Sequence, residues 1–167
     1  MSLSMYQAGI PVAIRSLNNL SAIIDKAAAQ CAARKIDESV LVNFRLAPDM
    51  LPFSRQIQIA SDIVKGGAAR LAGVEVPSYE DTEASFDDLK ARIAKTVAFL
   101  QSFKPAQIDG TEDKAITLKG RTGDRNFTGV DYLTNFVLPN LFFHITTAYA
   151  ILRHNGIEIG KKDFLGG

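Results

Sequence analysis

Four stretches of this chain carry apolar residues at every third or fourth position, and proline and glycine punctuate them. That repeat restricts the fold more than any other feature of the sequence. In the first stretch Ile10, Ala13, Ile14, Leu17, Leu20, Ile24, Ala28 and Cys31 form one stripe, the mark of a helix packed on a core. Pro11 either opens this helix at its first turn or kinks one that begins near Ser4. The second stretch follows Ala47-Pro48 and runs through Phe53, Ile57, Ala60, Val64, Gly67, Ala68 and Leu71, with Gly73 as a left-handed stop. Gly66-Gly67 weakens it by about 1 kcal/mol per glycine relative to alanine, so a neighbouring helix is expected to pass close by at that level.

The third stretch opens on Ser85-Phe-Asp-Asp88, a capping-box pattern, and carries Phe86, Leu89, Ile93, Val97, Leu100 and Phe103 before Pro105. The fourth follows Thr128-Gly-Val-Asp131. It places Leu133, Val137, Asn140, Leu141, His144, Ala148 and Ile151 on one face, and Gly156 ends it. Pro139 removes a backbone donor within it and is expected to bend it. Residues 32–47 hold a short extra helix around Asp37–Val42, and residues 73–84 form an acidic, solvated connector. Residues 104–128 suggest a small β-hairpin around Ile116 and Leu118. No repeat or linker divides the chain, so residues 1–167 are expected to form a single all-α domain, a four-helix bundle.

Composition narrows the function classes. With 167 residues and a formal net charge of +1, the chain has no bulk positive charge for nucleic acid. No unbroken apolar run approaches a membrane span, and the start lacks the basic and apolar parts of a leader, so neither membrane nor export is expected. One cysteine, Cys31, rules out an internal disulfide and suits the reducing cytoplasm. Its place on an apolar stripe with no adjacent base makes it a core residue rather than a nucleophile.

The helix order is open from reach alone. The second helix is about 36 Å long and the connector after it can extend about 40 Å, which permits either a parallel or an antiparallel third helix.

Two phrases carry a family resemblance. The first is Arg45-Leu-Ala-Pro-Asp-Met-Leu-Pro-Phe53, with Gln56 shortly after. The second is Tyr132-Leu, then Leu138-Pro-Asn-Leu-Phe-Phe-His-Ile-Thr-Thr-Ala-Tyr-Ala-Ile-Leu-Arg-His-Asn-Gly156, closed by Ile159-Gly-Lys-Lys-Asp-Phe-Leu-Gly166. Together they resemble a bacterial family of unknown function in the DinB/YfiT-like superfamily of inferred metalloenzymes. The resemblance implies an up-down-down-up bundle with parallel second and third helices, and frequent homodimers. It also implies a divalent metal such as zinc or nickel on three histidines, one from the second helix and two from a paired H-x-x-x-H on a later helix. Some relatives are thiol-dependent transferases.

This chain departs from that ligand set. The paired positions read Asn140 and His144, and the second helix offers Gln56 in place of histidine. An i, i+4 pair shares a helix face, but neutral amides are weak donors to late divalent metals. No cofactor is therefore expected to be held firmly; any metal would be bound weakly, through His144.

Three readings follow. The first is a small-ligand-binding protein with a polar pocket around Gln56, Asn140 and His144, its metal site degraded. The second is a metal-dependent transferase or hydrolase that keeps His144. The third is a structural interaction protein, a homodimer through exposed helix faces. The sequence does not by itself reveal a reaction.

Two other features read as structural. His154 falls about 280 degrees round the helix from His144, and with Arg153 it complements the dipole at the helix end. Lys119-Gly-Arg-Thr-Gly-Asp-Arg125 lacks the spacing of a phosphate-binding loop and reads as a charged hairpin tip able to touch an anion.

Overall fold

The computed structural model describes residues 3–120 and 122–167; Arg121, in the tip of the basic loop, lies outside them. Eight helical elements, one π-helical segment and a two-stranded hairpin make up the described chain. The four long elements are α1 (Met5–Arg34), α3 (Phe53–Ala72), α4 (Phe86–Gln101), and α7 (Leu138–His154) with its lead-in. Short pieces fill the connections: α2 (Glu38–Val42), α5 (Pro105–Ile108), α6 (Gly129–Asp131) and α8 (Lys161–Leu165). The strands β1 (Ile116–Leu118) and β2 (Arg125–Phe127) pair antiparallel, with Ile116 opposite Phe127 and Leu118 opposite Arg125.

Side-chain contacts fix the helix directions. Phe53 and Phe86, the first residues of α3 and α4, meet edge to face with centroids 6.0 Å apart, so these two helices run parallel. Lys90, early in α4, pairs with Asp25, late in α1, so α1 and α4 are antiparallel. At one end Gly9 of α1 packs on Leu133, and at the other Arg34 donates to the carbonyl of Gly156, so α1 and α7 run together. The bundle is thus up-down-down-up.

Local sequence explains the boundaries. Ser4 and Ser85 each build a capping box, and Gly73 closes α3 at φ 72°. α1 instead ends on Lys35 in the left-handed region at φ 55°. The core is continuous from Leu17, Leu20 and Ile24 of α1, through Ile57 of α3 and Leu89 and Ile93 of α4, to Leu141 and Ala148 of α7.

The two central glycines of α3 have separate reasons. A Cβ on Gly67 would lie 2.9 Å from a methyl of Val137, which is the expected close approach of a neighbouring helix. A Cβ on Gly66 would instead collide with the guanidinium of Arg70, on the same helix.

Pro139 acts one turn earlier than a simple bend. It stands in the first turn of α7, and the turns before it, Tyr132–Val137, are π-helical, with the Leu138 amide reaching back to the Leu133 carbonyl. The wider turn absorbs the missing proline donor and the clash of its ring with the preceding turn. It also shifts the buried stripe, which continues through Leu141, Ile145, Ala148 and Leu152. Asn140 and His144 therefore flank that stripe and are half-buried, where uniform helical spacing had placed them on the core face. The segment Gly129–His154 is long and apolar enough to cross a membrane by length and composition; here it packs along α3.

Candidate functional site

Gln56 lies in the first turn of α3 and is 2% exposed. Its Nε2 donates to the Leu51 carbonyl at 2.9 Å, just before the helix starts. Its Oε1 lies 2.7 Å from His144 Nδ1 on α7. These two bonds fix each other. Turning the amide over would aim its oxygen at the Leu51 carbonyl, so Oε1 faces the ring and His144 Nδ1 carries the hydrogen. The neutral imidazole is held in one tautomer, and its Nε2 is an acceptor with no partner among the described residues. Burial lowers the His144 pKa below its ordinary value of 6.5.

Asn140 does not join this pair. Its Nδ2 donates to the Phe136 carbonyl one turn back at 2.6 Å, closing on its own helix across the π-to-α junction. The sequence-predicted trio is thus a bonded pair, Gln56 and His144, with Asn140 tied to the backbone nearby. Beside it, Phe143 sets its ring perpendicular to the imidazole with centroids 5.2 Å apart. A shallow cavity of about 410 Å³ opens on the outer side of α7, lined by Leu46, Pro139, Phe142, Phe143, Thr146, Thr147 and Ala150.

The donor set does not fit a three-histidine metal. The Gln56 oxygen is committed to the ring, so one imidazole nitrogen and the weakly donating Asn140 oxygen are all that remain of the trio. Among the described residues, no three His, Cys, Asp or Glu side chains converge where they could hold a metal ion.

A second polar seam, between α3 and α4, was not legible as a site. Arg92 on α4 is buried, with 2% of its side chain exposed, and meets Asp62, Asp81 and Glu83 at 2.9, 3.1 and 2.9 Å. Asp81 and Glu83 belong to the acidic connector, so that segment is strapped to the bundle rather than free in solvent. Gln58 donates to Glu83 at 2.8 Å, and Lys65, also buried, donates to Asp62 at 2.7 Å. The ammonium groups of Lys65 and Lys95 lie 3.8 and 4.1 Å from the centre of the Tyr79 ring. Burial pushes the Glu83 carboxyl up, but hydrogen bonds from Arg92 and Gln58 outweigh it and hold the pKa below its ordinary value. The available signal was Arg92 itself, one turn after Leu89 and adjacent to Ile93, a charge inside an apolar stripe.

The remaining candidates are structural in place. Cys31 is buried in the core, and burial pushes its thiol pKa up. His154 is exposed in the last turn of α7, with its ring 5.8 Å from that of Phe44.

An up-down-down-up bundle with a short hairpin before its last long helix, and a polar pair joining the second and last long helices, defines a DinB-like protein. Residues 5–165 match the domain of unknown function DUF1993, and the chain belongs to that family. The crystal structure of a DinB family member protein from Shewanella denitrificans is 41% identical; the match covers 97% of this chain and 92% of that one, with a TM-score of 0.89. No curated protein matches the chain.

Proposed function

We propose that this protein binds a small polar molecule without a metal, using the Gln56–His144 pair as its recognition element, with Asn140 one turn away. The observation that supports this most is the bond between His144 Nδ1 and Gln56 Oε1, anchored in turn on the Leu51 carbonyl. It spends a buried amide on presenting one imidazole lone pair in a fixed direction. Such an acceptor suits a ligand that offers an N–H or O–H. A metal-dependent transferase or hydrolase of the DinB type needs donors that Gln56 and Asn140 do not supply.

Elemental analysis of protein purified without a metal-affinity tag, followed by zinc titration, tests this reading. Metal is expected to be substoichiometric and added zinc to bind weakly. A tightly held equivalent of metal that disappears in His144→Ala would establish the metalloenzyme reading instead.

A specific feature favours the dimer as a second property. Phe142, Phe143 and Leu46 are 38%, 57% and 39% exposed on one side of α7. Pairing of this face with its own copy about a two-fold axis would cover it. Light scattering is expected to give twice the 18.2 kDa chain mass at micromolar concentration, falling to the monomer in Phe143→Glu.

A further inference from the structure

The C-terminal turn of α3 carries a cation without a counter-ion. Arg70 folds back over Gly66, whose missing Cβ leaves room for the guanidinium against the helix. Its Nη1 donates to the Tyr132 hydroxyl at 3.0 Å. Among the described residues no carboxylate pairs with Arg70. Tyr132 is 1% exposed, stands in the π-helical segment, and stacks on Phe136 with centroids 5.6 Å apart. The phenol hydrogen goes to no acceptor among the described residues, and burial raises the phenol pKa, with the charge of Arg70 opposing. At neutral pH that hydrogen is therefore present.

Arg70 and Tyr132 line a cavity of about 410 Å³ whose apolar wall is Ile59, Ile63, Leu118 and Phe136, with the exposed Lys119 of the basic loop on its border. Asp62 also borders it, but its Oδ1 is taken by both Lys65 and Arg92. It leaves Arg70 unneutralised, while its presence in the wall disfavours a multiply charged guest. One fixed cation, one neutral donor and a hydrocarbon wall specify a singly charged anion with an apolar body.

We propose that this cavity binds a small organic monocarboxylate, its carboxylate taken by the Arg70 guanidinium and the Tyr132 hydroxyl and its apolar part laid against Ile59, Ile63 and Phe136. Its charged end, Arg70, lies about 21 Å along α3 from Gln56, at 1.5 Å per residue, and the proposal does not depend on the His144 reading.

The test is an NMR titration of the full chain with benzoate, phenylacetate and hexanoate, each matched against its neutral amide, and with inorganic phosphate. At least one acid is expected to give saturable shifts at the amides of Ile59, Ile63, Leu118 and Phe136, with its amide about tenfold weaker or worse. Arg70→Gln is expected to weaken that acid by about tenfold or more, and Tyr132→Phe, which keeps the ring, by about threefold. Circular dichroism checks that each variant is folded; if Arg70→Gln is not, Tyr132→Phe decides. The proposal is overturned if no acid gives saturable shifts at millimolar concentration, if the amides bind as well as the acids, if phosphate binds more tightly than they do, or if the folded variants bind like the parent.

Discussion

Helix α3 presents two polar seams to its neighbours, and they are built on opposite terms. Toward α7 it offers one neutral amide to one neutral imidazole, joined by a single hydrogen bond. Toward α4 it offers Asp62 and Gln58 to a buried guanidinium and to a carboxylate from the connector, in a network of several charged groups. The charged seam has almost every valence filled; of the Arg92 nitrogens, Nε alone is buried without a partner among the described residues. The neutral seam keeps an imidazole lone pair free on a half-buried side chain. A network in which each charge is answered holds a segment in place. A pair with a spare acceptor can take something else. The proposed binding therefore rests on the neutral seam, and the charged one fastens residues 73–85 across two parallel helices.

The strongest way to break this contrast is Arg92→Met. The substitution keeps bulk but leaves Glu83 half-buried without its cation, and removing one partner of a buried pair costs about 3 kcal/mol or more. The expected value sits at that low end, because Asp62 and Asp81 are 42% and 39% exposed and can turn to water. Urea melts measure the loss, and limited proteolysis is expected to cut within residues 73–85 before the rest of the chain. Arg92→Lys should recover only part of the stability, since a single ammonium cannot reproduce the fork that meets three carboxylates. A loss below the error of the melt, with the connector still protected, would show that the strap is held by packing.

The neutral seam should give a smaller effect with a different dependence on chemistry. His144→Leu fills the space but orphans the buried Gln56 oxygen, at about 1–2 kcal/mol. His144→Asn retains a donor on the same side and should cost less than leucine. If leucine is as stable as asparagine or better, Gln56 and His144 are not a mutually satisfied pair, and the binding reading loses its main support.

The contrast was only partly visible in the residues. The long helices were legible because Leu17, Leu20 and Ile24, or Leu89, Ile93, Val97 and Leu100, repeat at one period within each helix. Gln56 and His144 were legible through the family resemblance, because they stand where it implies metal-binding histidines. The degree of burial of Asn140 and His144 was not legible, because the π-helical turn at Tyr132–Val137 shifts every later position; Asn140 in addition bonds its own helix at the Phe136 carbonyl. The Arg92 seam escaped because its partners Asp81 and Glu83 lie in a segment whose composition alone reads as solvated loop. A charged residue far away in the fold decides whether such a loop is free. The short helices α5 and α8, at four and five residues, are too brief for periodicity to announce them.

The smallest expected effect separates the two seams by pH. Both His144 and Glu83 have pKa values lowered on folding, the imidazole by burial and the carboxyl by its hydrogen bonds, which outweigh burial. In each case the unfolded chain holds more protons between the two pKa values, so stability rises with pH across that interval. The intervals differ. For His144 the loss begins as pH falls below about 6.5 and levels off once its folded pKa is passed. For Glu83 the stabilisation is full above about 4.5 and is lost as pH falls through its folded value. Urea midpoints measured every half unit between those regions should therefore fall in two stages. His144→Asn should flatten only the upper stage, because asparagine does not titrate, and Glu83→Gln should reduce only the lower, to which Asp37, Asp88 and Asp163, also lowered, contribute. If His144→Asn leaves the upper stage intact, the imidazole is not held neutral by the fold, and its lone pair is not reserved for a ligand.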